Sequence, residues 1–189
     1  MKLQNTTIAL LVMAVLLSGG FYWADRQNRP PTAQDTPQPQ DTLIFTFQED
    51  QIQSFQIQRG ERVLSFAKGK TTRANTWYME KPQAGAADEA SIAYLLNLLA
   101  TGKTQTTLTV PTARLAEFGL NQPLATITVS LSTPKTHRLI LGKPDFSGKF
   151  LYAQADPPTH KVSEWSVLLV PIEFASAVDR PLAEWRSPE

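Results

Sequence analysis

Ile52-Gln-Ser-Phe-Gln-Ile-Gln-Arg-Gly-Glu-Arg-Val-Leu-Ser-Phe-Ala-Lys68 is the stretch whose reading decides the fold. Apolar and polar residues alternate from Ile52 to Gln58, so one face of that strand is buried and the other meets water. Arg59-Gly60-Glu61 is a hairpin turn in which glycine accepts a positive φ, and Arg62 to Lys68 returns antiparallel. A meander with one apolar face needs a second layer to cover it.

That cover lies downstream. Trp77-Tyr-Met-Glu80 reads as a further short strand stopped by Pro82. From Ala87 to Gly102 the period becomes helical, with Ile92, Leu95, Leu96 and Leu99 on one face. Asp88 is placed to start this helix, and Gly102 sits where a left-handed C-terminal residue belongs. Upstream, Leu43-Ile-Phe-Thr-Phe47 shows the same alternation as Ile52 to Gln58 and reads as a strand. In the second half Gln105 to Val110 is strand-like, and Pro111 to Phe118 is a short helix ended by Gly119. Ala125 to Leu131, His137 to Leu141 and Lys149 to Gln154 form a second meander, with turns at Ser132 to Lys135 and Gly142 to Gly148. Val167 to Val170 is a short buried strand and Pro171 to Val178 a closing helix. Strands dominate and helices sit between meanders, so the expected class is α+β: antiparallel β meanders, one main amphipathic helix and short additional helices. This domain occupies 42–189, long enough for an independent core, with two loosely similar halves at 42–104 and 105–189.

What precedes it has a different character. Leu3 to Ala24 runs 22 residues without a charge, enough to span a bilayer as one N-terminal transmembrane helix. Phe21, Tyr22 and Trp23 close it with an aromatic belt that suits a membrane interface. A cleaved signal peptide competes with an uncleaved signal anchor, since Lys2 and Leu10 to Leu17 supply the charged and apolar regions of a leader. A cut after Ala24 would place bulky Tyr22 at the third position before it, and the belt makes sense only if the helix stays in the membrane. Residues 1–24 are therefore expected to be a signal anchor. Residues 25–41, with four prolines and almost nothing apolar, read as a Pro/Gln-rich flexible linker. A short tail, one span and a folded C-terminal domain place the domain on the periplasmic or lumenal side.

Composition excludes more chemistry than it suggests. With 18 Lys and Arg against 17 Asp and Glu, the chain carries a net charge of +1, which lacks the basic excess of a nucleic-acid binder. No cysteine means no disulfide, no thiolate nucleophile and no Cys-ligated zinc, and His137 and His160 alone leave little for a metal site or imidazole base. No cofactor is expected.

Several segments together resemble a family. Trp77-Tyr-Met-Glu-Lys-Pro82, the Leu-rich helix after Ala87-Asp88, Phe118-Gly-Leu-Asn-Gln-Pro123 leading into Ala125-Thr-Ile-Thr-Val129, and Leu139-Ile-Leu-Gly142 look like the Domain of unknown function 4340 family. The likeness covers Leu43 to Trp185, with Phe118 and Asn121 standing where Tyr and Asp are expected. It implies an envelope-associated, membrane-anchored α+β domain and supplies no catalytic residues. The short length and Pro/Gln linker look similar to single-domain cyanobacterial members, which would put the anchor in a thylakoid or plasma membrane.

Candidate chemistry is sparse. Gly142-Lys-Pro-Asp-Phe-Ser-Gly148-Lys149 has the outline of a phosphate loop, but its spacing is wrong by one, Pro144 removes a donor and Phe150 replaces the metal-binding hydroxyl, so it reads as a hairpin turn. His137, Asp145 and Ser147 have neither nucleophile elbow nor oxyanion hole. The acid pairs Glu49-Asp50 and Asp88-Glu89 have turn and helix-start explanations. The most uneven charge is the basic set Arg59, Arg62, Lys68, Lys70, Arg73 and Lys81 around the first meander, which suits an acidic partner or anionic headgroups. Trp77 is expected in the core. Trp165 and Trp185, with Phe174 and Leu182, could form a partner patch, although core packing is the simpler assignment. The functional expectation is a non-enzymatic, membrane-anchored accessory or assembly protein whose exported domain binds a membrane-protein complex, a photosynthetic one if the chain is cyanobacterial. An envelope ligand- or glycan-binding module is the alternative, and a hydrolase remains without a nominated nucleophile and base.

Overall fold

A computed structural model describes residues 42–69 and 76–188. The apolar N-terminal segment with Phe21, Tyr22 and Trp23, the linker, and Lys70 and Arg73 lie outside the described residues. Among the described residues no helix is long and apolar enough to cross a membrane.

The described chain is built on one sheet of nine strands, every neighbouring pair antiparallel. The first meander is β2 (Ile52–Arg59), β3 (Arg62–Lys68), β4 (Trp77–Lys81) and β5 (Gly85–Ala86). The second is β8 (Ala125–Leu131), β9 (Thr136–Pro144), β10 (Phe150–Ala155) and β11 (Glu164–Pro171), with β7 (Thr106–Pro111) on its outer edge. The two meanders run outward from a central β2–β8 pair, in which Ile57 faces Ile127. A separate two-stranded ladder joins β1 (Thr42–Leu43) to β6 (Lys103–Thr104). The expected α+β class is what the described residues form.

One face of the sheet is covered by α1 (Glu89–Thr101), α2 (Glu173–Val178) and a 3-10 turn, Leu182–Trp185. Ile92, Leu95, Leu96 and Leu99 of α1 are buried with Phe55, Ile57, Phe66, Ile127, Leu139 and Leu151 of the sheet, each such aliphatic side chain contributing about 1.5–3 kcal/mol. The Asp88 carboxylate accepts a hydrogen bond from the Ser91 amide at 2.8 Å, capping α1 as expected. That backbone bond, then the one from the Ser91 hydroxyl, holds the Asp88 carboxyl below the usual carboxylate range. Trp185 is fully buried, 5.1 Å from the Phe66 ring, and its carbonyl accepts from the Asp88 amide, so the C-terminal segment is pinned to the start of α1. Phe174 is equally buried, so of the C-terminal patch residues Trp185 and Phe174 are core, Trp165 is half-buried against the second cluster on the other face, and Leu182 is exposed.

On the other face a smaller cluster of Val110, Leu115, Leu120 and Val167 is covered by the 3-10 helix Thr112–Phe118. Here two of the quoted family segments, Phe118 to Pro123 and Leu139 to Gly142, meet. Gly119 has φ 74°, and a Cβ there would lie 2.8 Å from the Lys143 nitrogen. At Gly142 a Cβ would collide with the Phe118 carbonyl oxygen. Two glycines thus let the helix end press directly on β9.

Some expectations need correction. Leu43 to Phe47 is not a five-residue strand: only Thr42–Leu43 is laddered, while Phe45 and Phe47 are buried by stacking with each other and on His137. Alternation reported burial there, and burial does not require a backbone ladder. Gly102 is extended, φ −60° and ψ 137°, because the chain passes straight from α1 into β6. Glycine is still required, since a Cβ would strike the Leu98 carbonyl oxygen that the Gly102 amide caps. The expected turn at Gly142 to Gly148 is shorter, because β9 runs on through Pro144. The strand at Val167 to Val170 extends over Glu164–Pro171, where its pairing with β7 continues.

Candidate functional site

Strand direction sorts the charged residues into two ends of the sheet. The register Gln58 opposite Thr126, Thr126 opposite Ile140, Pro144 opposite Leu151 and Phe150 opposite Pro171 puts the β2–β3 turn, the β9–β10 turn and the end of β11 together. At this end a groove of about 800 Å³ opens beside the helical layer. Its floor and sides are apolar, from Ile57, Val63, Leu64, Pro82, Val178 and Leu182. Arg59, Arg62, Lys81 and Arg180 rim it, against one acid, Glu61.

Each cation arrives for a local reason. Arg59 and Arg62 flank a tight turn with Gly60 at φ 55°, and face each other as the last pair of the β2–β3 ladder. Lys81 ends β4 just before Pro82, across a cis peptide bond. Arg180 follows α2, and its guanidinium lies 5.3 Å from the Tyr94 ring on α1. Arg59 and Arg180 are already held at one nitrogen each, by Asp179 at 2.5 Å and Glu184 at 3.4 Å. Their Nε atoms are buried without a hydrogen-bond partner. Among the described residues Arg62 and Lys81 form no ion pair. An apolar trough with donors left over at its rim suits a ligand with an apolar body and an acidic group.

The basic set expected from sequence is therefore divided. Arg59, Arg62 and Lys81 come together here. Lys68 sits at the far end of β3, about 20 Å away, where its ammonium donates to the Asp50 carbonyl at 2.9 Å and lies 5.6 Å from the Trp77 ring. Arg180 was not singled out, and a lone arginine near the C-terminus gives no signal until the fold brings it beside Arg59.

His137 takes no part with Asp145 or Ser147. Its Nδ1 lies 2.7 Å from Asp156 Oδ2 at the far end, while Asp156 Oδ1 accepts from the Arg138 amide. Asp145 and Ser147 belong to the β9–β10 turn, at the groove end. Among the described residues no cluster of three His, Asp or Glu could hold a metal ion. A smaller concavity of about 190 Å³ lies along Gln154, Asp156, Glu164 and Trp165, and the buried Gln154 amide nitrogen there has no partner.

A family model described as Domain of unknown function (DUF4340) matches residues 77–189, and the chain belongs to that family. The match is narrower than the expected span from Leu43: it takes in Lys81 and Arg180 but not the β2–β3 turn with Arg59 and Arg62. No curated protein and no solved structure matches the chain.

Proposed function

We propose that this DUF4340 domain is a non-catalytic binding module, held at a membrane by residues 1–24, that receives an acidic, partly apolar segment of a membrane-protein partner in the groove at Arg59, Arg62, Lys81 and Arg180. The observation that carries the reading is the pairing of an apolar trough with four rim cations, of which Arg62 and Lys81 form no ion pair among the described residues. Cations left without a partner gain most from a charged acceptor. A tethered accessory or assembly protein on the periplasmic or lumenal side would use such a groove to grip one component of a complex.

The test is purification of the full chain, through a C-terminal tag, from gently solubilised membranes. Capture of a membrane complex that disappears in Arg62→Glu/Lys81→Glu and weakens with salt is expected. A monomer without a complex, or capture indifferent to the charge reversal, overturns the proposal. The groove volume lies in the range of small-molecule sites, which favours as second reading a small anionic amphiphile bound in the envelope. Native mass spectrometry separates the two: a co-bound mass lost in the same double variant, with no protein partner, supports the amphiphile.

A further inference from the structure

Phe146 is the most exposed large apolar side chain among the described residues, at 101% relative accessibility. It stands at the tip of the β9–β10 hairpin between Lys143 and Lys149, both exposed. Single exposed apolar residues are ordinary on protein surfaces. This one is held out by a rigid turn. The Asp145 carboxylate accepts from the Ser147 hydroxyl at 2.8 Å and the Phe150 amide at 3.1 Å, while the Asp145 amide donates to the Phe150 carbonyl at 2.9 Å. Gly148, at φ 68°, closes the turn. Against desolvation, which raises it, the bonds from the Ser147 hydroxyl and the backbone amides of Phe150, Ser147 and Lys149 hold the Asp145 carboxyl below its ordinary range. The only acid within the tip is therefore turned inward as a scaffold. Outside the tip, Glu117 faces Lys143, but Arg114 already grips Glu117 at 2.8 Å.

We infer that this hairpin is a membrane-contacting element: the Phe146 ring enters the boundary between headgroups and acyl chains, and Lys143 and Lys149 meet anionic headgroup phosphates. Three observations favour a lipid surface over a protein. One ring on a convex tip, without an apolar surround, presents far less than the roughly 800 Å² per partner of a stable protein interface. An aromatic flanked by lysines matches the amphipathic layering of a bilayer surface, where nearby cations are attracted to anionic lipid. The start of the described chain lies in the same half of the sheet as the hairpin: Thr42 pairs with Thr104, whose hydroxyl donates to the Leu169 carbonyl, two residues from the Pro171 that faces Phe150. A flexible linker of 17 residues, as the sequence reading has it, would span about 20–25 Å r.m.s.. A second, weak membrane contact would fix how the groove at the same end is presented. That orientation, and the nearness of an anchor, rest on the proposed function; the geometry of Phe146 and its flanking lysines does not.

The absence of cysteine makes the test clean, because one introduced thiol is the only label site. The full chain carrying Phe146→Cys with an environment-sensitive apolar dye is reconstituted in vesicles of phosphatidylcholine alone or mixed with phosphatidylglycerol. Expected are blue-shifted emission and loss of intensity to acyl-chain nitroxide lipids in the anionic vesicles, both reversed by Lys143→Glu/Lys149→Glu. A dye at Thr159→Cys, on the exposed loop at the far end, stays water-like. With the native ring in place, proteolysis at Lys149 is slowed by anionic vesicles and returns to the detergent rate in Phe146→Ser. Water-like emission at residue 146 in both vesicle types, or a shift only when a protein complex is added, overturns the inference. Charge-sensitive capture of a complex through Arg62 and Lys81 would survive that outcome, so the two proposals fail separately.

Discussion

The two ends of the sheet differ less in how many cations they leave unpaired than in what lies beside them. Arg62 and Lys81 border an apolar trough, whereas Lys135, Arg138 and Lys161 at the far end, likewise without an ion pair among the described residues, stand exposed with no such trough. At the far end Lys68 is spent on the Asp50 carbonyl and His137 on Asp156, and Phe45 and Phe47 close over the histidine. At the groove end Arg62 and Lys81 form no ion pair among the described residues, two arginine Nε atoms lack partners, and Phe146 is bare. Charges satisfied within the fold contribute to its stability, whereas charges left over are available to something outside it. Lys68 and His137 are engaged within the fold at the far end, and the groove end is where unpaired cations meet an apolar surface.

The comparison breaks most readily through Trp185, which holds the C-terminal wall of the groove against Phe66. Trp185→Ala is expected to cost about 3–5 kcal/mol in denaturant unfolding and to speed amide exchange in 179–187 first. Trp185→Phe should cost much less, because its indole nitrogen is buried without a partner and its loss orphans nothing. Next comes Gly142→Ala, which forces a methyl into the Phe118 carbonyl beneath the β9–β10 hairpin. A loss of about 1–3 kcal/mol by the same measurement is expected, with chemical-shift changes concentrated at the groove end. At the far end Asp156→Ala removes the acceptor of His137 and of the Arg138 amide, and about 1 kcal/mol should go without any change at Arg59 or Arg180. The smallest effect is acid sensitivity. The Asp145 and Asp88 carboxyls are held below their ordinary 3.8, so their contribution is complete above that value and fades as pH falls through the folded-state values. The Phe150 and Ser91 amides should lose exchange protection together in that window; protection unchanged down to complete protonation would contradict it.

How much of this was legible in the sequence depends on distance along the chain. The strands β2, β3, β4, β8 and β10, the helix α1 and its Asp88 cap came from patterns within a few residues, and those are the elements the structure retains with small shifts. Gly119 was legible as a helix end, but its opposition to Gly142 was not, since only the folded β9 brings them within contact. The uneven charge of the first meander was visible as composition. Composition cannot say that Arg62 and Lys68 stand at opposite ends of one strand, or that Arg180 joins Arg59 across the intervening second meander. Half of the groove was therefore readable and the other half was a property of topology.

The central β2–β8 pair has a kinetic consequence. Within the meanders, partners such as β2 and β3 or β9 and β10 are close in sequence, whereas Ile57 meets Ile127 across 70 residues of chain, the least local ladder in the sheet. Closing so long a loop is favourable only once both hairpins exist to reward it, so the seam forms late and limits the folding rate. Truncating Ile127 should then slow the folding arm of a chevron; a folding arm left unmoved, with only unfolding accelerated, would show that the seam forms after the barrier and does not limit the rate. Until that seam closes, both inner strands offer unpaired edges, so the chain depends on closing it before a neighbouring chain pairs there.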